Sequence, residues 1–371
     1  MKIEAFEVIG LFGSAKTISA ILQPDLNIFT GPNGAGKTTL LKLLWYIISG
    51  NIRIAIREIV FSKVSLITDN YSFILTKLGP NDCKIEHDSI HGSMIFENEF
   101  DESENLVIDA VTAADDYIQD FGKSIFLPTF RRIEGGFTLG VKRSHLTPNM
   151  LSSRGGGIRN DVEDGLLALS RRLSNQSHTF VASISTSDVV NLLLQRYAEL
   201  SQQSQDAQRQ ISIEAVDEIK LFKRDRSGSA DNLMDDILAK IEKMDQDRAE
   251  IMRPFTAMNE IAMLLFKHRG IRISERISIG ETAGAINSDS LSAGEKQMLS
   301  FISYNAFSSG SVIFIDEPEL SLHVDWQRQL FPILLKQGTT NQFIIATHSP
   351  FIYSKYEDKE VMIGAGRGDD T

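Results

Sequence analysis

Residues 26–50 read LNIFTGPNGAGKTTLLKLLWYIISG. Leu26, Ile28 and Phe29 begin the stretch as an apolar strand. Gly31-Pro32-Asn33-Gly34-Ala35-Gly36-Lys37-Thr38 then fits G-x-x-x-x-G-K-[ST] in full. Leu40, Leu41, Leu43, Leu44, Trp45, Ile47 and Ile48 follow as a helix that is apolar nearly all round, which places it inside a large core. Strand, glycine turn and helix in this order make an anion cradle. Glycines let the backbone turn tightly and aim successive N–H groups at phosphate oxygens. The helix N-terminus offers its dipole to the same anion. Lys37 has the reach for β- and γ-phosphates, and the Thr38 hydroxyl is an oxygen ligand suited to Mg²⁺. The expected ligands are ATP and Mg²⁺, held by Pro32, Asn33, Gly34, Ala35, Gly36, Lys37, Thr38 and Thr39.

A second set of strand ends lies near the other end of the chain. Ser311-Val312-Ile313-Phe314-Ile315-Asp316-Glu317-Pro318 is a continuous apolar run closed by two acids, as in a strand covered on both faces. Ligands of such sheets sit at the carboxyl ends of the strands. Asp316 is therefore expected beside the glycine turn as a Mg²⁺ ligand, direct or through water. Glu317 is left free to polarise an attacking water. Asn341 to Ala346 is another buried strand, followed by Thr347-His348-Ser349-Pro350, so His348 is expected at the same edge, in reach of a γ-phosphate or the water. Ser292 and Glu295 form an S-x-x-E capping box before a helix spanning Met298 to Phe307. Gly294 allows close backbone approach there. A second anion site and a merely well-capped helix both fit this spacing.

The rest of the 371-residue chain sets the context. Its length suits one large or two ordinary domains, and 42% hydrophobic with 23% charged residues is a globular balance. No apolar run approaches the roughly 18 residues that span a bilayer. The opening MKIEAFEVIG carries acids early and lacks a signal-peptide core. One cysteine, Cys83, excludes an internal disulfide framework and fits a reducing cytoplasm. A formal net charge of −11 argues against a generally basic nucleic-acid binder. A local basic groove could still draw on Arg131, Arg132, Lys142, Arg143, Arg154 and Arg159.

Residues 2–30 read as strands leading into the turn. Residues 52–100 alternate in strand fashion from Ile52-Arg53-Ile54 through Val60–Ile67, Ser72–Lys77 and Cys83–His87, an antiparallel meander punctuated by turns. Cys83, His87 and His91 are spaced for one face of a helix, but the local pattern is strand, so they are not expected to converge on a metal. Ser103 to Ile118 reads as a helix and Ser124 to Leu127 as a short buried strand closed by Pro128. Arg131 and Arg132 follow, either as phosphate sensors or as solvated arginines. Ser187–Phe222 and Asn232–Phe266 are two long helical segments around a polar break at 225–231, the simplest helical hairpin. Strands return at Ile271–Ile273 and Ile277–Ile279. The expected limits are 1–135 and 271–371 for the two parts of an α/β core, with 136–270 inserted as the helical hairpin.

The order of these motifs resembles the ABC-type ATPases: phosphate loop GPNGAGKTT, signature LSAGEKQ, acidic strand VIFIDEPEL and terminal THS. That resemblance implies a P-loop α/β fold with a mixed sheet. It makes Ser292, Gly294 and Glu295 a signature that contacts the γ-phosphate of ATP held by another subunit. It makes His348 the switch histidine and Ser321 to His323 a loop at the subunit interface. One chain has one loop and one signature, so a homodimer or larger oligomer with composite ATP sites is implied, and a monomer should bind ATP but hydrolyse it poorly. Glu317-Pro318-Glu319-Leu320-Ser321-Leu322-His323 is similar to the SMC, RecF and OLD branch. Leu127-Pro128-Thr129-Phe130-Arg131-Arg132-Ile133-Glu134 resembles ATPases of bacterial anti-phage systems such as PARIS and Septu. Those systems pair the ATPase with a separate effector, a toxin or nuclease, and imply a phage-encoded trigger. The family's Q-loop glutamine has no clear counterpart, with Arg131, Arg132 and Glu134 in its place. The tail with Asp369 and Asp370 is too short for an OLD-type nuclease. The less favoured alternative is an RecF- or SMC-like DNA-maintenance ATPase that binds duplex DNA in an ATP-dependent way. No membrane partner is expected.

Overall fold

The chain opens with β1 (Ile3–Ile9), β2 (Thr17–Ile21) and β3 (Leu26–Thr30), then α1 (Lys37–Ile48) and α2 (Ile52–Glu58). A meander follows: β4 (Lys63–Thr68), β5 (Tyr71–Lys77), β6 (Cys83–Ser89) and β7 (Gly92–Phe96). Next come β8 (Glu99–Phe100), β9 (Leu106–Ile108), α3 (Ala110–Ile118), β10 (Ser124–Leu127), α4 (Arg159–Leu173) and β11 (His178–Phe180). Two long helices, α5 (Thr186–Arg224) and α6 (Ala230–Phe266), precede α7 (Ala293–Ala306). The chain then runs through β12 (Val312–Asp316), α8 (Val324–Lys336), β13 (Gln342–Ala346), α9 (Pro350–Tyr353) and β14 (Glu360–Met362). This computed structural model describes residues 1–79, 82–100, 106–129, 159–175, 177–182, 186–224, 230–266 and 292–364.

The chain divides into two compact units. One comprises residues 1–184, 309–331 and 339–371; the other comprises 185–308 and 332–338. The first holds two six-stranded sheets. One is antiparallel throughout, in the order β2-β1-β4-β5-β6-β7. The other is parallel throughout, in the order β11-β10-β12-β13-β3-β14. The mixed sheet expected from sequence is thus two sheets of opposite kind. The difference follows from covering: β3, β10, β12 and β13 are buried at every position and need both faces covered. Strands β4 and β5 instead alternate between core and surface, as a one-sided sheet requires.

Helix α1 packs on the parallel sheet through its apolar surface. The ring of Trp45 lies 5.5 Å from that of Phe126 and 5.4 Å from that of Phe180. The two sheets meet where Phe6 and Phe29 face each other at 5.7 Å. Gln342, fully buried at the start of β13, ties them further. Its side chain accepts the N–H of Ile3 at 2.8 Å and donates to the carbonyls of Ile3 at 2.7 Å and Gln23 at 2.8 Å. One glutamine therefore serves backbone groups that the sheet ladders leave open.

Two expectations need correction. Ile52 to Glu58 is a helix, not a strand. Ile52, Ala55 and Ile59 bury at helical spacing, and the Asp115 carboxylate accepts the Ile52 N–H at 2.8 Å at the helix start. The three-residue alternation Ile52-Arg53-Ile54 fits either period. The helix expected from Ser103 begins at Ala110, because Asp109 caps it by accepting the Val111 N–H at 3.2 Å. Leu106–Ile108 is strand instead. Beyond the expected limit at 135, β11 pairs with β10, so residues around 178–180 return to the parallel sheet.

In the second unit α5 and α6 pack as an antiparallel pair. Tyr197 faces Phe255 at 5.4 Å between ring centres, and Lys240 pairs with Glu218 at 2.5 Å. Helix α7 belongs to this unit. The arginine-rich stretch 130–158, the strands expected at 271–279, Leu291 and the Asp369-Asp370 pair lie outside the described residues.

Candidate nucleotide site

A parallel sheet brings all its strand ends to one edge, and four of those ends here carry chemistry. Past β3 the chain enters the glycine loop. Gly31 has φ 139°, and a Cβ there would sit 2.2 Å from the Ile363 carbonyl oxygen. Gly36 has φ 93°, and a Cβ there would lie 2.5 Å from Cε2 of Phe12. Both positions need glycine for conformation and for room. Gly36 precedes α1 and brings no side chain to cap it. The first N–H groups of that helix are the donors that an anion takes.

Lys37 is 5% exposed. Its ammonium donates to the carbonyls of Gly31 at 3.0 Å and Pro32 at 3.1 Å, and lies 3.4 Å from Nδ1 of His348. Burial draws its pKa below the ordinary lysine range, partly offset by the nearby carboxylates of Glu317, Asp316 and Glu319. The Ala35 N–H donates to the Pro32 carbonyl at 3.2 Å and shapes the loop.

Asp316 ends β12 and is 1% exposed. Its two carboxylate oxygens accept from two hydroxyls, Thr38 Oγ1 at 2.8 Å and Thr129 Oγ1 at 2.6 Å. A buried carboxylate is costly unless paired or hydrogen-bonded, and these bonds meet that cost. Glu317 follows with φ 47°, a left-handed backbone that a non-glycine residue holds at about 1–3 kcal/mol. Its N–H donates to the Ala346 carbonyl at 2.8 Å, which carries the strand pairing one residue further. His348, exposed, follows β13; its N–H donates to Glu319 Oε1 at 2.7 Å. A cavity of about 540 Å³ lies among these groups, lined by Phe12, Asn33, Gly34, Gly36, Lys37, Thr38, Thr39, Glu317 and His348.

The loop, the acidic strand end and the histidine come together. Three participants were missed in the sequence. Thr129, two residues past β10, bonds Asp316 from the segment where a Q-loop glutamine was sought. Phe12, 57% exposed with φ 58°, stands over Gly36. Glu319 holds the backbone of His348. A hydroxyl just beyond a buried strand, and the EPE pattern itself, were the available signals; nothing local marks Phe12.

In the other unit, the expected capping box forms at the start of α7. Ser292 Oγ accepts the Glu295 N–H at 3.3 Å, and Glu295 Oε2 accepts the Ser292 N–H at 2.7 Å. Ser292 is exposed, whereas Gly294 and Glu295 are buried. Cys83 and His87 lie buried on β6, with the His87 ring packed against Tyr71, Tyr117 and Phe121. Among the described residues no helix is long and apolar enough to cross a membrane.

Residues 26–354 match the family described as "AAA domain, putative AbiEii toxin, Type IV TA system". Over 86 residues the chain is 31% identical to the Retron Ec83 probable ATPase of Escherichia coli, an alignment covering 20% of this chain and 16% of that protein. Its match thus spans about a sixth of that relative. Among solved structures it is similar to the Smc head domain with an extended coiled coil bound to the C-terminal domain of ScpA from Pyrococcus furiosus. That pair shares 13% identity over 95% of this chain and 91% of the other, with a TM-score of 0.37. For the SMC head domain from Thermotoga maritima the values are 10% identity, 95% and 92% coverage, and a TM-score of 0.38. With nearly its whole length matched, this phosphate-loop α/β chain belongs to the AAA-domain family of the AbiEii, type IV toxin–antitoxin description.

Proposed function

We propose that the chain is a Mg²⁺-dependent ATPase whose subunits close on one another around ATP, and whose nucleotide state sets its grip on a separate effector in bacterial anti-phage defence. The observation that supports this most is the meeting of Thr38, Asp316, Glu317 and His348 at one sheet edge beside an uncapped helix N-terminus. The donor set fits a hard cation: a hydroxyl and a carboxylate, both oxygen, with nucleotide phosphates to complete the shell. Thr38 and Asp316 would hold Mg²⁺, which when bound neutralises charge on the β- and γ-phosphates.

The chain's own groups do the rest. The loop N–H groups and the Lys37 ammonium orient the phosphates. Glu317 accepts a proton from the water whose oxygen bonds to the γ-phosphorus as the β,γ-bridging P–O bond breaks. His348, beside Lys37, donates a ring hydrogen bond to the γ-phosphate. Phe12 offers an exposed ring for the adenine base. Ser292, Gly294 and Glu295 act on ATP held by a second subunit. The Ser292 oxygen accepts within its cap, which leaves its hydrogen as the donor.

The effector reading draws on the resemblance of residues 127–134 to defence ATPases and on the toxin–antitoxin description of the family. A cytoplasmic location and a toxin or nuclease partner follow from the same reading. The test is phosphate release from ATP with Mg²⁺ and with EDTA, alongside sedimentation with and without ATP. The expected result is release only with Mg²⁺ and association only with ATP. Release in EDTA, or a sedimentation profile unchanged by ATP, contradicts the proposal. ATP-dependent, salt-sensitive retention of duplex DNA would favour the DNA-maintenance alternative.

A further inference from the structure

The turn after β12 and the loop after β13 are joined by side chains that neither the phosphate loop nor the acidic pair explains. The turn is tight and strained. Leu320 N–H donates to the Glu317 carbonyl at 3.2 Å and Leu322 N–H to that of Glu319 at 3.0 Å. Positive φ recurs at Glu317, 47°, and Ser321, 68°. Two residues fasten this turn to the histidine loop. Glu319 Oε1 accepts the His348 N–H at 2.7 Å. Gln327, on α8, accepts from Ser349 Oγ at 2.6 Å while its Nε2 donates to the carbonyls of Leu322 at 2.8 Å and Glu319 at 3.4 Å.

Glu319 is placed at a cost. Its second oxygen, Oε2, is buried and has no hydrogen-bond partner among the described residues. An unpaired buried carboxylate oxygen is unfavourable. A residue retained on those terms must supply something through its other oxygen, and Oε1 holds the backbone of the residue next to Lys37.

We infer that Glu319, assisted by Gln327, is a positioning residue: it latches the His348 loop to the Glu317 turn, so that base and histidine are presented to the γ-phosphate as one unit. The inference rests on the ATPase reading for its purpose, but the latch is a property of the fold alone. Residues in strained backbone persist only where their surroundings over-determine them. The latch supplies that constraint to Glu317. It also couples the turn at Ser321 to the histidine, so that a shift of one moves the other.

The experiment compares Glu319→Ala, Glu319→Gln and Gln327→Ala with wild type by two readouts. Amide hydrogen exchange of the His348 peptide without nucleotide reads the latch directly. Steady-state ATP hydrolysis reads its consequence. Glu319→Ala should exchange His348 at least about tenfold faster. Its kcat should fall by roughly ten- to a hundredfold with KM within about twofold, the pattern of lost orientation rather than lost binding. Glu319→Gln keeps the Oε1 acceptor and removes the carboxylate charge, so it should restore slow exchange and most of kcat. Gln327→Ala should fall between the two. Unchanged exchange in Glu319→Ala overturns the latch. So does a Glu319→Gln variant as slow as the alanine, since charge rather than the hydrogen bond would then be at work. If wild type hydrolyses no ATP, the ATPase reading fails and the exchange result alone decides the latch.

Discussion

Helices α1 and α7 both start at motifs with an anion-binding reading, yet their N-termini are built in opposite ways. At α1 the cap is Gly36, a residue with no side chain, and the orphan donors of the first turn belong to whatever the loop encloses. At α7 the protein satisfies two of its own donors, through Ser292 and Glu295 in a closed capping box. The first end has no side-chain cap; the second has the Ser292 and Glu295 N–H groups bonded within its own chain. On the proposed function, that contrast is the one between a site that binds nucleotide and a surface that reads a nucleotide held by another subunit. A third start, that of α2, is capped from a distance by the half-buried carboxyl of Asp115.

The sharpest break of this comparison is complementation. Lys37→Ala removes the loop's cation and Ser292→Ala removes the reading hydroxyl, so each variant alone should be nearly inactive. Mixed in equal amounts, they should regain up to about a quarter of the wild-type turnover, because about half of the pairs are mixed and one of the two sites in each mixed pair has an intact loop from one subunit and an intact signature from the other. A mixture as inactive as its parts would mean that both helix ends serve the same subunit. Next in size is Gly36→Ala. Left-handed backbone and the crowding at Phe12 should weaken nucleotide affinity by about ten- to a hundredfold, for a strain of roughly 1–3 kcal/mol. Titration with a fluorescent ATP analogue measures it. Ser292→Ala should leave that affinity alone and lower stability by about 1 kcal/mol, the ordinary worth of a cap, in chemical denaturation.

Stability also depends on pH, through α2. Burial pushes the Asp115 carboxyl up to about 7, against hydrogen bonds from Ile52 and Arg53 that lower it. Its folded pKa lies above its unfolded value, so the folded chain holds a proton that the unfolded chain releases. Stability is full near pH 4 and falls as pH rises toward 7. Asp115→Asn keeps an acceptor for Ile52 and does not titrate. Its melting temperature should exceed wild type at pH 8 and converge with it near pH 4. A constant difference across that range would place the burial cost elsewhere.

Much of this was legible in the sequence, for a physical reason. The glycine loop, the acidic strand and the histidine each combine a residue type with a strand end, and both are written locally. The capping box is likewise a four-residue pattern. The parallel and antiparallel sheets were harder to separate, since strand direction depends on partners far along the chain. Ile52 to Glu58 was misread because three alternating residues fit both periods, while the cap that fixes the helix comes from Asp115. Thr129, Phe12 and Glu319 share one difficulty. A threonine, a phenylalanine or a glutamate joins a site only through where the backbone carries it, as with Phe12 at φ 58°.

The central claim is that Glu317, held in left-handed backbone at the end of β12, is the base for ATP hydrolysis at the α1 loop. Single-turnover hydrolysis of Mg-ATP by Glu317→Gln tests it most directly, with nucleotide affinity measured on the same sample. The account predicts affinity within about threefold of wild type, since glutamine keeps the size, and a rate lower by about a hundredfold or more. Turnover at the wild-type rate with ATP bound would contradict it.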